Sequence, residues 1–192
     1  MDSAVQDKST IESVASVAEL ADDAMALIKP NMHPADFVGK LMEQQLYPDA
    51  VRFLAHALPK REGVWWAWMS ARRSAGENAK APIKASLEAT EKWIAQPSDE
   101  NRRAAKAAAE VAQLSTAAGC AGLAAFFSGD TLGPADLPAV PPGPYLTAKA
   151  VAGAVNMAAM AGEPKQAPEK FKSFVAQGLD VAKRLNLWEG KQ

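Results

Sequence analysis

The side chains best suited to bind a partner or a ligand lie on one predicted helix, over about residues 59–74. Three of the five tryptophans of the chain, Trp65, Trp66 and Trp68, fall within four positions of this helix. Tryptophan and arginine are enriched where proteins bind their partners, and a few convergent charged groups can line a polar pocket. Together with two residues of a following helix, the candidate binding residues are Arg61, Glu62, Trp66, Arg72, Arg73, Asn101 and Arg102.

The same charges have a structural interpretation, which we favour. Glu62 lies near the start of the predicted helix, and Arg72 and Arg73 lie near its end, which is the arrangement that the helix dipole favours. Arg61 stands at the end where the dipole disfavours a cation. Residues 1–58 carry 9 acids and 4 bases, whereas residues 59–108 carry 6 acids and 10 bases. We therefore expect Arg61 to pair with an acid of the first segment.

Patterns typical of catalysis, metal binding or cofactor binding are missing from the sequence. The two histidines, His33 and His56, have no partner at the spacing of a metal site. We find no Gly-x-Ser-x-Gly run and no glycine-rich phosphate loop. The single cysteine, Cys120, lies among small apolar residues and is predicted to be a buried, inert thiol. We predict no catalytic residues, no metal site and no cofactor.

The composition also limits the partners and the compartment. The net charge is −1 and the isoelectric point is about 6.1, which argues against nucleic acid as a partner. No stretch reaches the 18 apolar residues of a membrane span, so we predict no membrane insertion. The first residues lack the features of a signal peptide, and a single cysteine is typical of a reducing compartment. The sequence therefore predicts a cytoplasmic protein.

The fold class follows from the spacing of the apolar residues, which is helical throughout, with no alternating β pattern. We predict an all-α fold, a single globular helical domain of about seven to nine helices over residues 16–192. Residues 1–15 are predicted to be a mobile tail. Prolines and glycines exclude regular structure from a loop at residues 128–145. The predicted helices cover about residues 16–28, 34–45, 48–58, 59–74, 81–95, 99–118, 120–127, 146–161 and 168–187.

The helix with the three tryptophans is predicted to be the centre of the fold. At about 100° per residue, Trp65 and Trp68 share one side of it and Trp66 lies on another. Small residues on a third side leave room for a close neighbour, and the alanine-rich helix at 99–118 is the candidate. We expect Trp65 and Trp68 to be core residues and Trp66 to edge a pocket.

Three runs of the sequence resemble an uncharacterised bacterial family. They are RFLAHALPKREGVWWA at residues 52–67, ENRRAA at residues 100–105 and AAFFSG at residues 124–129. The resemblance covers about residues 35–160 and carries over no established activity or catalytic residues. Members of this family are similar to small cytoplasmic proteins encoded near type VI secretion genes. The resemblance thus implies a bacterial source and a role in assembly of a secretion apparatus or in cargo handling.

Our leading hypothesis is a non-enzymatic, cytoplasmic protein-protein interaction module. It would act as an adaptor, chaperone or scaffold for another protein, as an accessory to a type VI secretion system. Two alternatives stay open. The first is a small-molecule-binding protein or enzyme with a polar pocket around Arg61, Glu62, Arg72 and His56. The second is an immunity-type inhibitor that binds one toxin through a charged face.

Overall fold

The computed structural model describes residues 10–134 and 136–189, and these residues form ten α-helices and one short 3-10 helix but no strand. The all-α prediction is confirmed, with more and shorter helices than expected. The 3-10 helix is Pro164–Gln166. The α-helices are α1 (Ile11–Val17), α2 (Asp22–Met25), α3 (Pro34–Glu43), α4 (Tyr47–Ala57), α5 (Lys60–Ala75), α6 (Ala81–Ala95), α7 (Asp99–Val111), α8 (Ala117–Phe127), α9 (Leu146–Met160) and α10 (Ala167–Arg184).

Helices α5 and α9 together form the centre of the fold. The tryptophan helix α5 packs against α6, α8, α9 and α10, as expected for a central helix. Helix α9 packs against α4, α5, α8 and α10. Its buried residues are small or β-branched, among them Val151, Ala154, Val155 and Ala158. A helix of this composition lets its neighbours approach closely, and α9 lies against four of them.

The alanine-rich segment differs from the prediction in extent and in position. It is two helices, because Gln113 takes a left-handed φ of 71° between α7 and α8. Thr116 caps the second helix by accepting a hydrogen bond from Gly119 N at 3.0 Å. Gly119, which separates the predicted helices at residues 99–118 and 120–127, lies in the first turn of α8, where a Cβ would clash with the carbonyl oxygen of Gln113. Helix α7 packs mainly on α6 and α8, and α5 packs against α8 and α9 rather than against α7.

The first segment also differs from the prediction. Residues 1–9 of the predicted mobile tail lie outside the described residues, and residues 11–15 belong to α1, whose Ile11 and Val14 are buried. The predicted helix over residues 16–28 is wrong, because the chain turns at Glu19 with a φ of 53°. Two residues of α4 hold this turn. Arg52 donates to Glu19 O at 2.7 Å, and Asp49 accepts from Ala21 N at 2.9 Å.

The proline-rich loop lies between α8 and α9, and its described residues contain no helix or strand, as predicted. Leu132 N donates to Val140 O at 2.7 Å, and Thr131 Oγ1 accepts from Val140 N at 2.9 Å. Arg103 of α7 donates to Gly133 O at 2.6 Å. These bonds tie the first half of the loop to itself and to α7.

The crossing of α8 over α7 depends on a glycine, which gives a test of the packing. A Cβ at Gly122 would lie 2.9 Å from both Ala105 O and Ala109 Cβ. We expect Gly122→Ala to lower the free energy of unfolding by about 1–3 kcal/mol, because two helix backbones must move apart. Chemical denaturation measures this loss.

Gly39→Ala is the matched control for this substitution. Gly39 lies inside α3, and a Cβ there would meet no atom within 4 Å. Alanine is favoured over glycine in a helix by about 0.5–1 kcal/mol, so the control should raise stability. Equal effects of the two substitutions would contradict the close approach of α7 and α8.

Candidate functional site

The structure separates the seven predicted binding residues into different places. Arg61 and Glu62 lie in the first turn of α5, and Arg72 and Arg73 lie in its last turn. Arg61 and Arg72 are eleven positions apart, about 16 Å along the helix axis at about 1.5 Å per residue. One small pocket cannot contain both ends of the helix. The structure therefore places Arg61 and Glu62 apart from Arg72, at opposite ends of α5.

Arg61 and Asn101 bind backbone carbonyls at the end of α6. Arg61 donates to Ile94 O from Nε at 2.9 Å and from Nη2 at 2.6 Å. Asn101 Nδ2 donates to Gln96 O at 2.9 Å. The last carbonyls of a helix have no partner within the helix, so both side chains serve the fold. Within residues 10–134 and 136–189 Arg61 forms no ion pair with an acid of the first segment, contrary to the expectation, and Glu62 beside it is half-buried.

Arg102 is a buried structural residue, since only 3% of its surface is exposed. Its Nη1 donates to Phe126 O at 2.8 Å, and its guanidinium carbon lies 4.8 Å from the centre of the Phe126 ring. A Cβ at Gly129 would lie 2.5 Å from Arg102 Nε, so the backbone after α8 rests on the guanidinium group. Arg102 also pairs with Asp99. Hydrogen bonds from Arg103 and Arg102 lower the pKa of the Asp99 carboxyl.

Trp66 lies in the core, contrary to the expectation that it edges a pocket. Its side chain is fully buried, and Nε1 donates to Phe174 O of α10 at 2.8 Å. Its ring lies against the backbone of α10, where a Cβ at Gly178 would be 2.9 Å from the indole. Trp68 is buried as expected, but Trp65 is only partly buried. Helix α10 covers the side of α5 that carries Trp66, and periodicity within α5 gives no sign of that.

Arg72 and Arg73 are the predicted residues that line an open surface. A groove of about 750 Å³ runs between the second half of α5 and α6, and we call it the α5–α6 groove. The residues that define it are Trp68, Met69, Arg72, Arg73, Gly76, Glu77, Ala79, Lys84, Leu87, Glu88, Glu91 and, from α10, Gln177.

The floor of the α5–α6 groove is apolar and fixed in position. Trp68 Nε1 donates to Leu87 O at 3.0 Å, which joins α5 to α6. The guanidinium carbon of Arg72 lies 5.2 Å from the centre of the Trp68 ring. A cation over an indole gains electrostatic energy that grows when water is removed. The exposed Arg72 is thus held in place, and burial by a partner would strengthen its contact with Trp68.

The rim of the groove carries charges of both signs. Lys84, Glu88 and Glu91 are exposed on α6, and in the described part of the chain none of the three forms an ion pair. Arg73, on the opposite rim, donates to Ser173 Oγ at 2.6 Å. Sequence reasoning missed the α6 residues. Lys84, Glu88 and Glu91 are spaced four and three positions apart, which places them on one helix face. This spacing is visible in the sequence and could have identified them.

The cysteine and both histidines have structural roles. Cys120 is buried as predicted, with Sγ 3.2 Å from Leu114 O, and burial raises the pKa of its thiol. His33 is exposed and caps α3 by accepting from Ala35 N at 3.2 Å. His56 is buried, and its Nδ1 lies 2.8 Å from Arg52 O. A carbonyl oxygen only accepts, so Nδ1 is the donor in this contact.

Over the described part of the chain, His, Cys, Asp and Glu side chains form no group of three that could hold a metal ion. None of the helices there combines the length and the apolar character that crossing a bilayer requires.

Comparison with known proteins bears on the family. A family of unknown function, DUF6931, matches residues 37–182. The match runs from α3 into α10 and includes the whole α5–α6 groove. It also includes the three runs at residues 52–67, 100–105 and 124–129. No curated protein and no solved structure matches the chain. The chain belongs to the uncharacterised family DUF6931.

Proposed function

We propose that the protein is a non-enzymatic protein-protein interaction module that receives a segment of a partner protein in the α5–α6 groove. The observation that carries the proposal is the exposed Arg72, stacked on Trp68 beside the unpaired charges of Lys84, Glu88 and Glu91. Arginine and tryptophan at the centre of a contact supply much of the energy of many interfaces. Charges that lack partners at the rim select a complementary surface.

The groove also limits the chemistry of the partner. An apolar side chain fits the floor formed by Trp68, Met69 and Leu87. A basic side chain fits opposite Glu88 and Glu91, which lie one helical turn apart. We expect the partner segment to be a helix or an extended peptide that combines these groups. This is the mode in which anchor residues at regular spacing enter a groove.

The cellular context of the proposal comes from the sequence resemblance. It supports a bacterial protein that acts in the cytoplasm as an adaptor, chaperone or scaffold for a type VI secretion apparatus. An immunity-type inhibitor would use the same surface but would bind a single partner very tightly. The number of partners and their affinities therefore separate the two roles.

The proposal is tested by affinity capture with charge-reversed variants. Tagged wild-type protein and Arg72→Glu/Glu88→Lys protein are used as baits in extracts of the native host. We expect proteins retained by the wild type to be lost from the variant, because the cation on Trp68 and one of the two rim acids, Glu88, are reversed. The purified partner should then bind the variant at least about tenfold more weakly, or about 1.4 kcal/mol.

The control is Lys183→Glu/Asp180→Lys, which reverses two exposed charges on α10 outside the groove. It should retain the partner with unchanged affinity. Circular dichroism and thermal melts check that both variants are folded. A partner that binds the groove variant as tightly as the wild type would refute the groove as its binding site. Recovery of no specific partner from the host would refute the interaction role.

A further inference from the structure

A second concave site lies on a different part of the molecule, where α9 begins. It is a cavity of about 180 Å³ between the end of α4, the start of α5 and the proline-rich loop. Its polar lining includes His56, Lys60 and Thr147, and its apolar lining includes Leu58 and Phe127. None of the described residues that line the cavity is an aspartate or a glutamate. The cavity therefore offers cationic and neutral polar groups but no carboxylate.

The first turn of α9 opens toward this cavity. The helix is 15 residues long, and Leu146, Thr147 and Ala148 of its first turn line the cavity. The side chain of its N-cap residue, Tyr145, does not cap it. Leu146 N donates to Gly143 O at 3.3 Å, so the amides of Thr147 and Ala148 are the ones that face a ligand. The first amides of a helix have no partner within it, and the helix dipole places partial positive charge at the same end. An uncapped N-terminus of this kind attracts an anion.

Thr147 supplies an independent observation. Only 5% of its surface is exposed, and its Oγ1 makes no hydrogen bond to any described residue. A buried hydroxyl without a partner destabilises the fold, so its presence in the wall of a cavity requires a reason. A ligand atom in the cavity that accepts from this hydroxyl would supply the missing hydrogen bond.

Lys60 places a positive charge at the same cavity. Its Nζ donates to Ser128 O at 3.2 Å, and it forms no ion pair within the described chain. A carbonyl oxygen is neutral, so the ammonium charge is left without a counter-charge. The amides of α9, the Thr147 hydroxyl and the Lys60 ammonium thus all favour the same kind of ligand group.

We propose that this cavity binds a small organic anion. A carboxylate or phosphate group accepts hydrogen bonds from the first turn of α9 and from Thr147 Oγ1, and Lys60 neutralises its charge. A compact apolar group of the ligand packs against Leu58 and Phe127. The cavity is separate from the α5–α6 groove. The result of an anion-binding test therefore does not bear on the proposed interaction role.

Isothermal titration calorimetry with three probes of one shape tests the site. Benzoate carries a carboxylate, phenyl phosphate carries a phosphate, and benzamide is a neutral analogue. We expect at least one of the two anions to bind with a Kd of about 1 mM or lower and benzamide to bind at least tenfold more weakly. The preferred anion identifies the head group. Equal binding of benzamide, or no binding of either anion, overturns the proposal.

Two variants locate the binding. Thr147→Val removes only the hydroxyl, and we expect it to weaken binding of the preferred anion about tenfold while the protein stays folded. Lys60→Gln, at an exposed position, should weaken binding by a similar factor. Thr90→Val and Lys172→Gln are the matched controls, since neither residue lines the cavity. If the anion binds both cavity variants as tightly as it binds the wild type, its binding site lies elsewhere on the protein. That result would refute the proposal.

Discussion

Replacing Trp66 with alanine is expected to lower the free energy of unfolding by about 3–5 kcal/mol, the usual cost of removing a large buried aromatic ring. The ring is fully buried between α5 and α10. Its loss leaves a cavity and also leaves Phe174 O without the donor that lies 2.8 Å away. Gly178 cannot fill the space, because it has no side chain. Urea or guanidinium denaturation of the purified protein measures the change.

Trp65→Ala is the matched control for this prediction. Trp65 is the neighbouring residue of α5 and is only partly buried, so we expect a smaller loss, about 1–2 kcal/mol. The two substitutions remove the same atoms from the same helix, and they differ in burial and in the bond to Phe174 O. Equal losses, or a larger loss for Trp65→Ala, would contradict the position of Trp66 at the contact between α5 and α10.

Replacing Arg102 with methionine is expected to destabilise the fold by about 2–3 kcal/mol. Methionine keeps much of the apolar stem but cannot donate to Phe126 O or to Asp99. The carbonyl oxygen of Phe126 would then be left without this donor at the buried end of α8. The contact between the guanidinium group and the Phe126 ring is lost as well. Thermal and chemical denaturation should agree on the change.

Arg103→Met serves as the control for Arg102→Met. Arg103 is the adjacent arginine and also bonds to Asp99, but about a third of its side chain is exposed. Water can replace the bonds of a partly exposed side chain, so we expect a loss below about 1 kcal/mol. The effect of Arg102→Met should also persist in 1 M salt, because salt screens buried contacts weakly. A loss that disappears in high salt would argue that Arg102 acts only as a surface charge.

Three of the candidate binding residues make structural contacts that their residue types alone did not predict. Trp66, Arg61 and Arg102 are of the types that form interfaces, and residue type was the basis for selecting them. In the structure each binds a backbone carbonyl: Phe174 O, Ile94 O and Phe126 O respectively. A buried donor must find an acceptor. Carbonyls at helix ends are acceptors that a sequence does not display, since their positions depend on how helices cross.

Several features were determined by the sequence alone. The helical spacing of apolar residues determined the fold class. Prolines and glycines determined the irregular loop between α8 and α9. Small apolar neighbours predicted the burial of Cys120, which the structure confirms. These features depend on local propensity and on periodicity, which act within a few residues and are therefore visible in the chain.

Only the tertiary structure decided which side of each helix is covered and where the long helices break. Helix α5 carries large side chains on two sides, and α10 covers Trp66 while Trp65 stays partly exposed. The turn at Glu19 depends on Arg52 and Asp49, about thirty residues later. The cavity beside Thr147 likewise lies between segments that are far apart in sequence, residues 55–63 and 142–151. Contacts of this range depend on the packing of the whole core, which no local pattern encodes.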